Sequence, residues 1–314
     1  MEWLIPLLIG ILAIIGIVIL IAYICFRMAF YARDCDKKST EEFAIPDGEV
    51  YKPWREKMIG WIKETRALKS EMYTVTSYDG LTLCGRYYEQ TPGAPIELMH
   101  HGYRGYAERD LCGGVQRAFA LGHNALIVDL RACGDSEGNV ITFGIKEHRD
   151  CLTWVDFMVN HFGKDVQIIL TGISMGATTV LNAAGCPLPP NVIGVLADCG
   201  FTSPEAIIKK VMVDMKLPPK LAFPFVRLGA QLFGGFNISA ITSIDSVTRC
   251  KLPVIFFHGE NDTFVPAQMS QENYEACKSR KHLVIIPGAE HGLSYPVAPK
   301  EYIREAYQFF HGDK

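Results

Sequence analysis

Gln167-Ile168-Ile169-Leu170-Thr171-Gly172-Ile173-Ser174-Met175-Gly176 decides how the rest of this chain is read. Four apolar or strand-favouring residues run into a short turn, and a helix-like stretch, 175–185, follows. A serine held at a sharp strand-to-helix turn needs glycine two residues before and two after, because side chains there would strike neighbouring backbone. Gly172 and Gly176 meet that need. The turn lifts the Ser174 hydroxyl out of the sheet and puts the Met175 amide at a helix N-terminus, where N–H groups lack intrahelical partners.

Outward from this turn, short apolar runs at 96–99, 125–129, 167–170, 192–196, 254–257 and 283–286 read as buried parallel strands. Helical stretches near 110–121, 145–161, 175–185, 267–278 and 297–310 separate most of them. Ahead of these, 73–77 and 81–88 flank Asp79-Gly80, a hairpin signal. An antiparallel start followed by strand–helix alternation predicts one mostly parallel, eight-stranded sheet covered by helices on both faces. The alternation lapses from Phe201 to about Arg249, as an insertion would make it do. Within the insertion, a helix over 203–216 is expected, with Ser203 as N-cap and Pro204 at its first position. Leu217-Pro218-Pro219 breaks that helix, and Phe223, Phe225 and Leu228 follow as candidate substrate-binding residues.

Composition narrows the options. With 314 residues and a net charge of -3, nothing in the bulk electrostatics favours a nucleic-acid partner. The ten cysteines are scattered with no Cys-x-x-Cys pair, so no metal site is expected. Scattered cysteines inside apolar runs fit a reducing compartment. From Trp3 to Phe26 no residue is charged, a span of about 36 Å as a helix against a hydrocarbon core of about 30 Å. A cleaved signal peptide fits poorly: Glu2 replaces the expected basic n-region and no A-x-A site follows. Residues 3–26 are therefore expected to be a retained transmembrane helix. Arg27, Arg33, Lys37 and Lys38 follow it and no Lys or Arg precedes it, which predicts a cytoplasmic C-terminal domain. Residues 27–71 read as a juxtamembrane connector. It includes a basic amphipathic helix carrying Trp54, Met58, Trp61, Ile62 and Leu68. Its apolar face fits the inner leaflet and the folded body equally well.

A serine hydroxyl is a poor nucleophile at neutral pH and needs a base, itself oriented by an acid. His291, in Gly288-Ala289-Glu290-His291, follows the last apolar run; His258 follows the one before and competes. Asp262, Glu260 and Asp198 all follow strands and compete as the acid. An oxyanion hole needs two backbone donors. Met175 is one candidate, and Tyr103, in the loop His101-Gly102-Tyr103-Arg104-Gly105, is the other.

With these motifs in view, residues 72–311 resemble the α/β-hydrolase superfamily, in particular its monoglyceride-lipase-like and serine-aminopeptidase-like branch. The resemblance is carried by His101-Gly102-Tyr103, by Asp129-Leu130-Arg131-Ala132-Cys133-Gly134-Asp135-Ser136-Glu137-Gly138, by the serine turn, by His258-Gly259-Glu260-Asn261-Asp262 and by Gly288-Ala289-Glu290-His291. Ala132 departs from the family's glycine in a structural loop. Gly144, Glu147 and Asp150 match a glycine and two acids common in this branch and read as loop and cap residues. The superfamily's chain order, Ser…Asp…His, selects Asp262 and His291 over their rivals. The resemblance implies a hydrolase domain over 72–314 with a helical cap at about 201–249. It implies hydrolysis of short or medium acyl esters or lysolipids through an acyl-enzyme, with no cofactor. A serine peptidase, or a non-catalytic binding protein on the same scaffold, is the alternative. The expected partners are a small ester or lipid substrate and the membrane; oligomeric state is not indicated.

Overall fold

The computed structural model describes residues 3–32 and 38–312. Arg33 and Lys37, two of the cations behind the topology expectation, lie outside these. Eight strands make one sheet: β1 (Glu71–Thr76), β2 (Thr82–Tyr88), β3 (Ile96–His100), β4 (Asn124–Val128), β5 (Ile168–Ile173), β6 (Val192–Asp198), β7 (Val254–Gly259) and β8 (Lys281–Ile286). Their order is β1-β2-β4-β3-β5-β6-β7-β8. β2 pairs antiparallel with both β1 and β4, and every later pairing is parallel.

Twelve helices are described: α1 (Leu4–Ala29), α2 (Arg55–Ala67), α3 (Ala107–Asp110), α4 (Gly114–Ala120), α5 (Glu147–Phe162), α6 (Met175–Ala184), α7 (Pro204–Asp214), α8 (Pro219–Leu232), α9 (Ser243–Arg249), α10 (Ala267–Ala276), α11 (Ser294–Val297) and α12 (Pro299–His311). The central strands β3–β7 read as largely apolar runs because both sheet faces are covered there. Leu98, Leu126, Leu170, Ala197 and Phe256 face one way, onto Trp154, Met158, Val180, Leu181 and Val247 of α5, α6 and α9. Their neighbours face the other way: Met99 and Ile127 onto Val115 and Ala118 of α4, Leu196, Ile255 and Phe257 onto Tyr302, Ala306 and Phe309 of α12. Glu97 interrupts the apolar β3. It is buried but paired, accepting from Arg117 at 2.5 Å and Thr171 Oγ1 at 2.9 Å and facing His123 Nδ1 at 3.0 Å. A buried carboxylate survives only with such partners.

The amphipathic helix α2 lies on the α/β body. Met58 and Ile62 are buried with Ile45, Cys112 and Leu293. Trp61 stacks on Tyr295 with centroids 5.3 Å apart, and Arg66 makes a two-pronged ion pair with Glu108 at 2.7 and 2.8 Å. Periodicity foresaw the apolar face; the packing decides its partner.

α1 divides into two parts. Residues 4–21 are exposed, Val18 partly so, whereas Ala22, Phe26 and the following Phe30 are buried. The buried part crosses α8 at Gly229, so closely that a Cβ there would sit 2.3 Å from the Ala22 carbonyl oxygen. Rings close the seam: Tyr23 and Phe26 meet Phe233, and Phe30 meets Phe236 and Phe143 edge-on. Past the helix, Ile141 N–H donates to the Phe30 carbonyl at 2.8 Å and Ala32 N–H to that of Asn139 at 2.9 Å, stitching the chain to the loop before α5. In the insertion, Ser203 caps α7 by accepting from Ala206 N–H at 3.1 Å, with Pro204 opening the helix.

Gly229→Leu is expected to lower stability by about 1–3 kcal/mol through overpacking of this crossing. Urea unfolding of the detergent-solubilised full chain checks it; an unchanged midpoint would show that α1 and α8 do not hold each other as described.

Candidate active site

β5 delivers Ser174 to the turn and α6 begins at the next residue. Ser174 sits at φ 56°, ψ -119°, a strained backbone conformation for a side-chain-bearing residue. The flanking glycines are needed for the reason the sequence suggests. A Cβ on Gly172 would lie 2.2 Å from the Gly176 carbonyl group, and one on Gly176 would lie 2.1 Å from the His100 carbonyl oxygen. The strained residue is held from behind, where Ser174 N–H donates to the Asp198 carbonyl at 2.8 Å.

The loops after β7 and β8 bring Asp262 and His291 to this serine. The Ser174 hydroxyl lies 3.0 Å from His291 Nε2, and His291 Nδ1 lies 2.7 Å from Asp262 Oδ2. Asp262 Oδ1 accepts from the Phe264 and Val265 amides at 2.9 and 2.8 Å. Burial opposes charge on Asp262, but hydrogen bonds from His258 and His291 outweigh it and hold the carboxyl well below the usual carboxylate range. An ionised Asp262 makes Nδ1–H the donor, leaving Nε2 as acceptor for the serine O–H.

The rivals for these positions lie elsewhere. Asp198 Oδ1 accepts from Ser294 Oγ at 2.8 Å, and burial pushes its carboxyl up. Glu260 accepts from Gly288 N–H. His258 touches the acid instead of the serine: its Nε2 is 3.1 Å from Asp262 Oδ2 and 2.8 Å from the Val265 carbonyl, its Nδ1 2.6 Å from Ser270 Oγ. Two acceptors on Nε2 fix the proton there, so His258 is a donor that braces Asp262.

The loop with Tyr103 passes the serine closely; a Cβ on Gly102 would lie 3.5 Å from Ser174 Cβ. Three groups hold the loop. His101 Nε2 accepts from Leu130 N–H at 3.0 Å, Asp110 Oδ2 accepts from Gly102 N–H at 3.1 Å, and Tyr103 stacks on Phe143. Burial pushes the His101 imidazole down, which keeps it neutral for that acceptance. Asp110 was not foreseen, since nothing in its local sequence marks it. Met175 is fully buried at the first position of α6.

The segment after β4 scaffolds the site without touching it. Asp129 accepts from the amides of Ala107 and Asp135, and Arg131 forks onto Asp150 at 2.6 Å and Asp79 at 2.9 and 3.0 Å. Glu147 accepts from Thr142 and Gly144. Ala132 has φ 62°, which explains why glycine is the usual residue there.

Two cavities meet at Ser174. One, of about 360 Å³, is mixed, with the charged Asp47, Arg104, Arg109 and Glu290 in its wall beside His291, among Val50, Tyr51, Met58 and Phe264. The other, of about 390 Å³, is apolar: Phe143, Phe201, Ile207, Met212, Ala222 and Val226 line it together with Cys25, Met28 and Ala29 of α1. Phe223, Phe225 and Leu228 do not line the apolar cavity. Phe223 and Leu228 border an outer groove near Glu205 and Lys209, and Phe225 is half-buried. The face of α8 turned to the serine is the one carrying Ala222 and Val226. Among the described residues, Cys199, Asp262 and His291 place donor atoms within 4.8 Å of one another. They make a poor metal site, because both His291 nitrogens are engaged and burial raises the Cys199 thiol well above its ordinary value.

The model of the alpha/beta hydrolase fold matches residues 98–239, the segment containing the serine turn and the loop of Tyr103. The chain has the α/β-hydrolase fold. The chain superposes on the Pyrococcus furiosus esterase Pf2001 with a TM-score of 0.65, covering 85% of this chain and 97% of that one at 23% identity, a likeness of fold. It is 28% identical to Bacillus subtilis YqkD over 60% of this chain, spanning 62% of that protein, less than two thirds of its length. It is 26% identical to the lysophosphatidylserine lipase ABHD12 of Danio rerio over 60% of this chain and 49% of that one.

The depressed Asp262 carboxyl has a pH consequence. A group whose folded pKa is lowered stabilises the fold above its unfolded value of about 3.9, and that contribution is lost as pH falls through the folded value. The stability gap between wild type and Asp262→Asn should therefore narrow from about pH 5 to about pH 2. Unfolding midpoints across that range test it, and a gap that stays constant would contradict the ionised, doubly hydrogen-bonded carboxylate.

Proposed function

We propose that this chain is a membrane-anchored serine esterase that cleaves single-chain carboxylic esters, of short or medium acyl length or in lysolipids. The reading is carried by the relay from Ser174 Oγ to His291 Nε2 at 3.0 Å and from Nδ1 to Asp262 at 2.7 Å, opening onto one apolar cavity and one of mixed lining that holds charged side chains. In this reading Ser174 Oγ attacks the ester carbonyl carbon while His291 Nε2 takes its proton. The oxyanion is held by the Met175 and Tyr103 amides. Collapse expels the alcohol, which leaves with the proton from His291. Water, deprotonated by the same nitrogen, then releases the acid and restores the Ser174 hydroxyl. The apolar cavity suits the acyl chain, and the mixed one, with Asp47, Arg104, Arg109 and Glu290 in its wall, suits the alcohol or headgroup. The name of the Danio rerio relative supports a lipid ester. No metal or organic cofactor enters this scheme.

In this reading the exposed part of the expected 3–26 span, residues 4–21, is the transmembrane anchor of a hydrolase domain spanning 72–314, and Ala22 and Phe26 dock on that domain. The described helix Leu4–Ala29 is long and apolar enough to cross a membrane. The positive-inside bias puts the hydrolase on the cytoplasmic side. Protease added to intact cells should spare the hydrolase domain, and cleavage there would reverse the orientation.

Ser174→Ala is expected to abolish labelling by a fluorophosphonate probe and to lower ester turnover by roughly 10³-fold or more. Asp262→Asn should keep the fold and lose about 10³–10⁴-fold in kcat by releasing the imidazole. A panel of p-nitrophenyl esters against aminoacyl amides divides the readings: faster amide turnover would favour a peptidase, and no labelling of folded wild type would leave a binding scaffold.

A further inference from the structure

α1 is not joined to the hydrolase merely by a tether. Its last two turns are built into the substrate side of the molecule. Cys25, Met28 and Ala29 line the apolar cavity together with Ser174. The carbonyls that end the helix, which have no intrahelical donors, are claimed by the loop beside the serine. Tyr103 Oη donates to the Ala29 carbonyl at 2.7 Å, and Arg104 Nη2 donates to the carbonyls of Met28 at 2.9 Å and Tyr31 at 3.1 Å. The loop that carries the Tyr103 amide past Ser174 thus also grips the root of the helix.

The mouth of the cavity lies at that root. Met28, Met215, Leu217 and Phe264 line the cavity and are each 41–56% exposed, so they form its rim. An apolar rim open to water is costly, and exposed apolar surface of this kind marks a contact with something apolar. The geometry of α1 says what that is. The exposed part, residues 4–21, is about 27 Å long at about 1.5 Å per residue, close to the hydrocarbon thickness of about 30 Å. With this part in the bilayer, the docked turns fall at the membrane surface. Tyr23 and Arg27 are there, the Arg27 Nη1 donating to Tyr23 Oη at 2.9 Å, residue types suited to the headgroup level.

We infer that the root of α1 is a wall of the acyl-binding cavity and that the acyl chain of a membrane-resident, single-chain lipid ester enters this cavity from the leaflet in which α1 ends. The inference rests on the esterase reading for what happens next, but not for where the chain binds. An acyl chain leaving the leaflet there passes from lipid to the rim and onto Cys25 and Ala29 with little exposure to water, while its ester reaches Ser174.

The test uses the full chain in phosphatidylcholine nanodiscs. In Cys25→Trp and Ala29→Phe, which fill the wall, the ratio of kcat/KM for p-nitrophenyl dodecanoate over butyrate should fall at least tenfold. Ile14→Trp, on the exposed part of α1, should leave the ratio at its wild-type value. A wild type that hydrolyses both esters, with the ratio unmoved in both wall variants, overturns the inference. A second arm needs no catalysis. Ser174→Ala is irradiated with a dodecanoic acid bearing a terminal diazirine, and the labelled peptides are mapped by mass spectrometry. Label on residues 25–29 together with Ile207 or Met212 is expected, and label that avoids 25–29 overturns the wall. If wild type hydrolyses no ester yet the label reaches 25–29, the esterase reading fails and the cavity assignment stands.

Discussion

Everything about this site depends on one steric constraint: the backbone of the turn after β5 is pressed against the end of β3. There is no room for a side chain between residue 176 and the His100 carbonyl, or between residues 172 and 176. That closeness forces Ser174 into its strained conformation, projects its hydroxyl beyond the sheet and starts α6 at the next amide. The same contact brings the loop after β3 alongside the serine. Reactive geometry here is a by-product of how tightly two strands and a helix meet.

Around that point, rigidity is supplied by hydrogen bonds to backbone more than by ion pairs. Asp262 is fixed by two amides and by His258, and the Tyr103 loop by His101 and Asp110. These groups hold the imidazole and the loop in place without touching a substrate, as preorganised electrostatics require. Arg131, clamped between Asp79 and Asp150, does comparable work one layer further out, tying the β1–β2 hairpin to α5.

The insertion between β6 and β7 and the N-terminal helix form a single unit. Gly229 lets α1 and α8 approach to backbone contact, and the aromatic seam from Tyr23 to Phe236 completes the joint. A long, otherwise exposed apolar helix thereby becomes part of a cavity wall. It also gives the insertion a fixed point, because α8 packs on a helix that itself is gripped by Tyr103 and Arg104.

What the sequence determined by itself was whatever is encoded locally. Six of the eight strands follow from apolar runs and the first two from the Asp79-Gly80 hairpin signal, the serine turn from Gly172 and Gly176, the start of α7 from Ser203 and Pro204, and the grouping of Ser174, Asp262 and His291 from their places at strand ends in a known order. Tertiary structure decided everything that depends on how one element is rotated or set against another. Periodicity showed that α2 had an apolar face but could not say that Cys112 and Leu293 cover it. Hydrophobicity in the insertion pointed to Phe223, Phe225 and Leu228, whereas the roll of α8 on α1 turns Ala222 and Val226 toward the serine. His258 was readable as a strand-end histidine, but its hold on Asp262 is a contact in space. The uncharged run from Trp3 to Phe26 announced a helix fit for a bilayer, and only packing could show that its last turns belong to the cavity. Local pattern carries steric and solvation preferences, while contacts between distant segments depend on shape complementarity that no single segment contains.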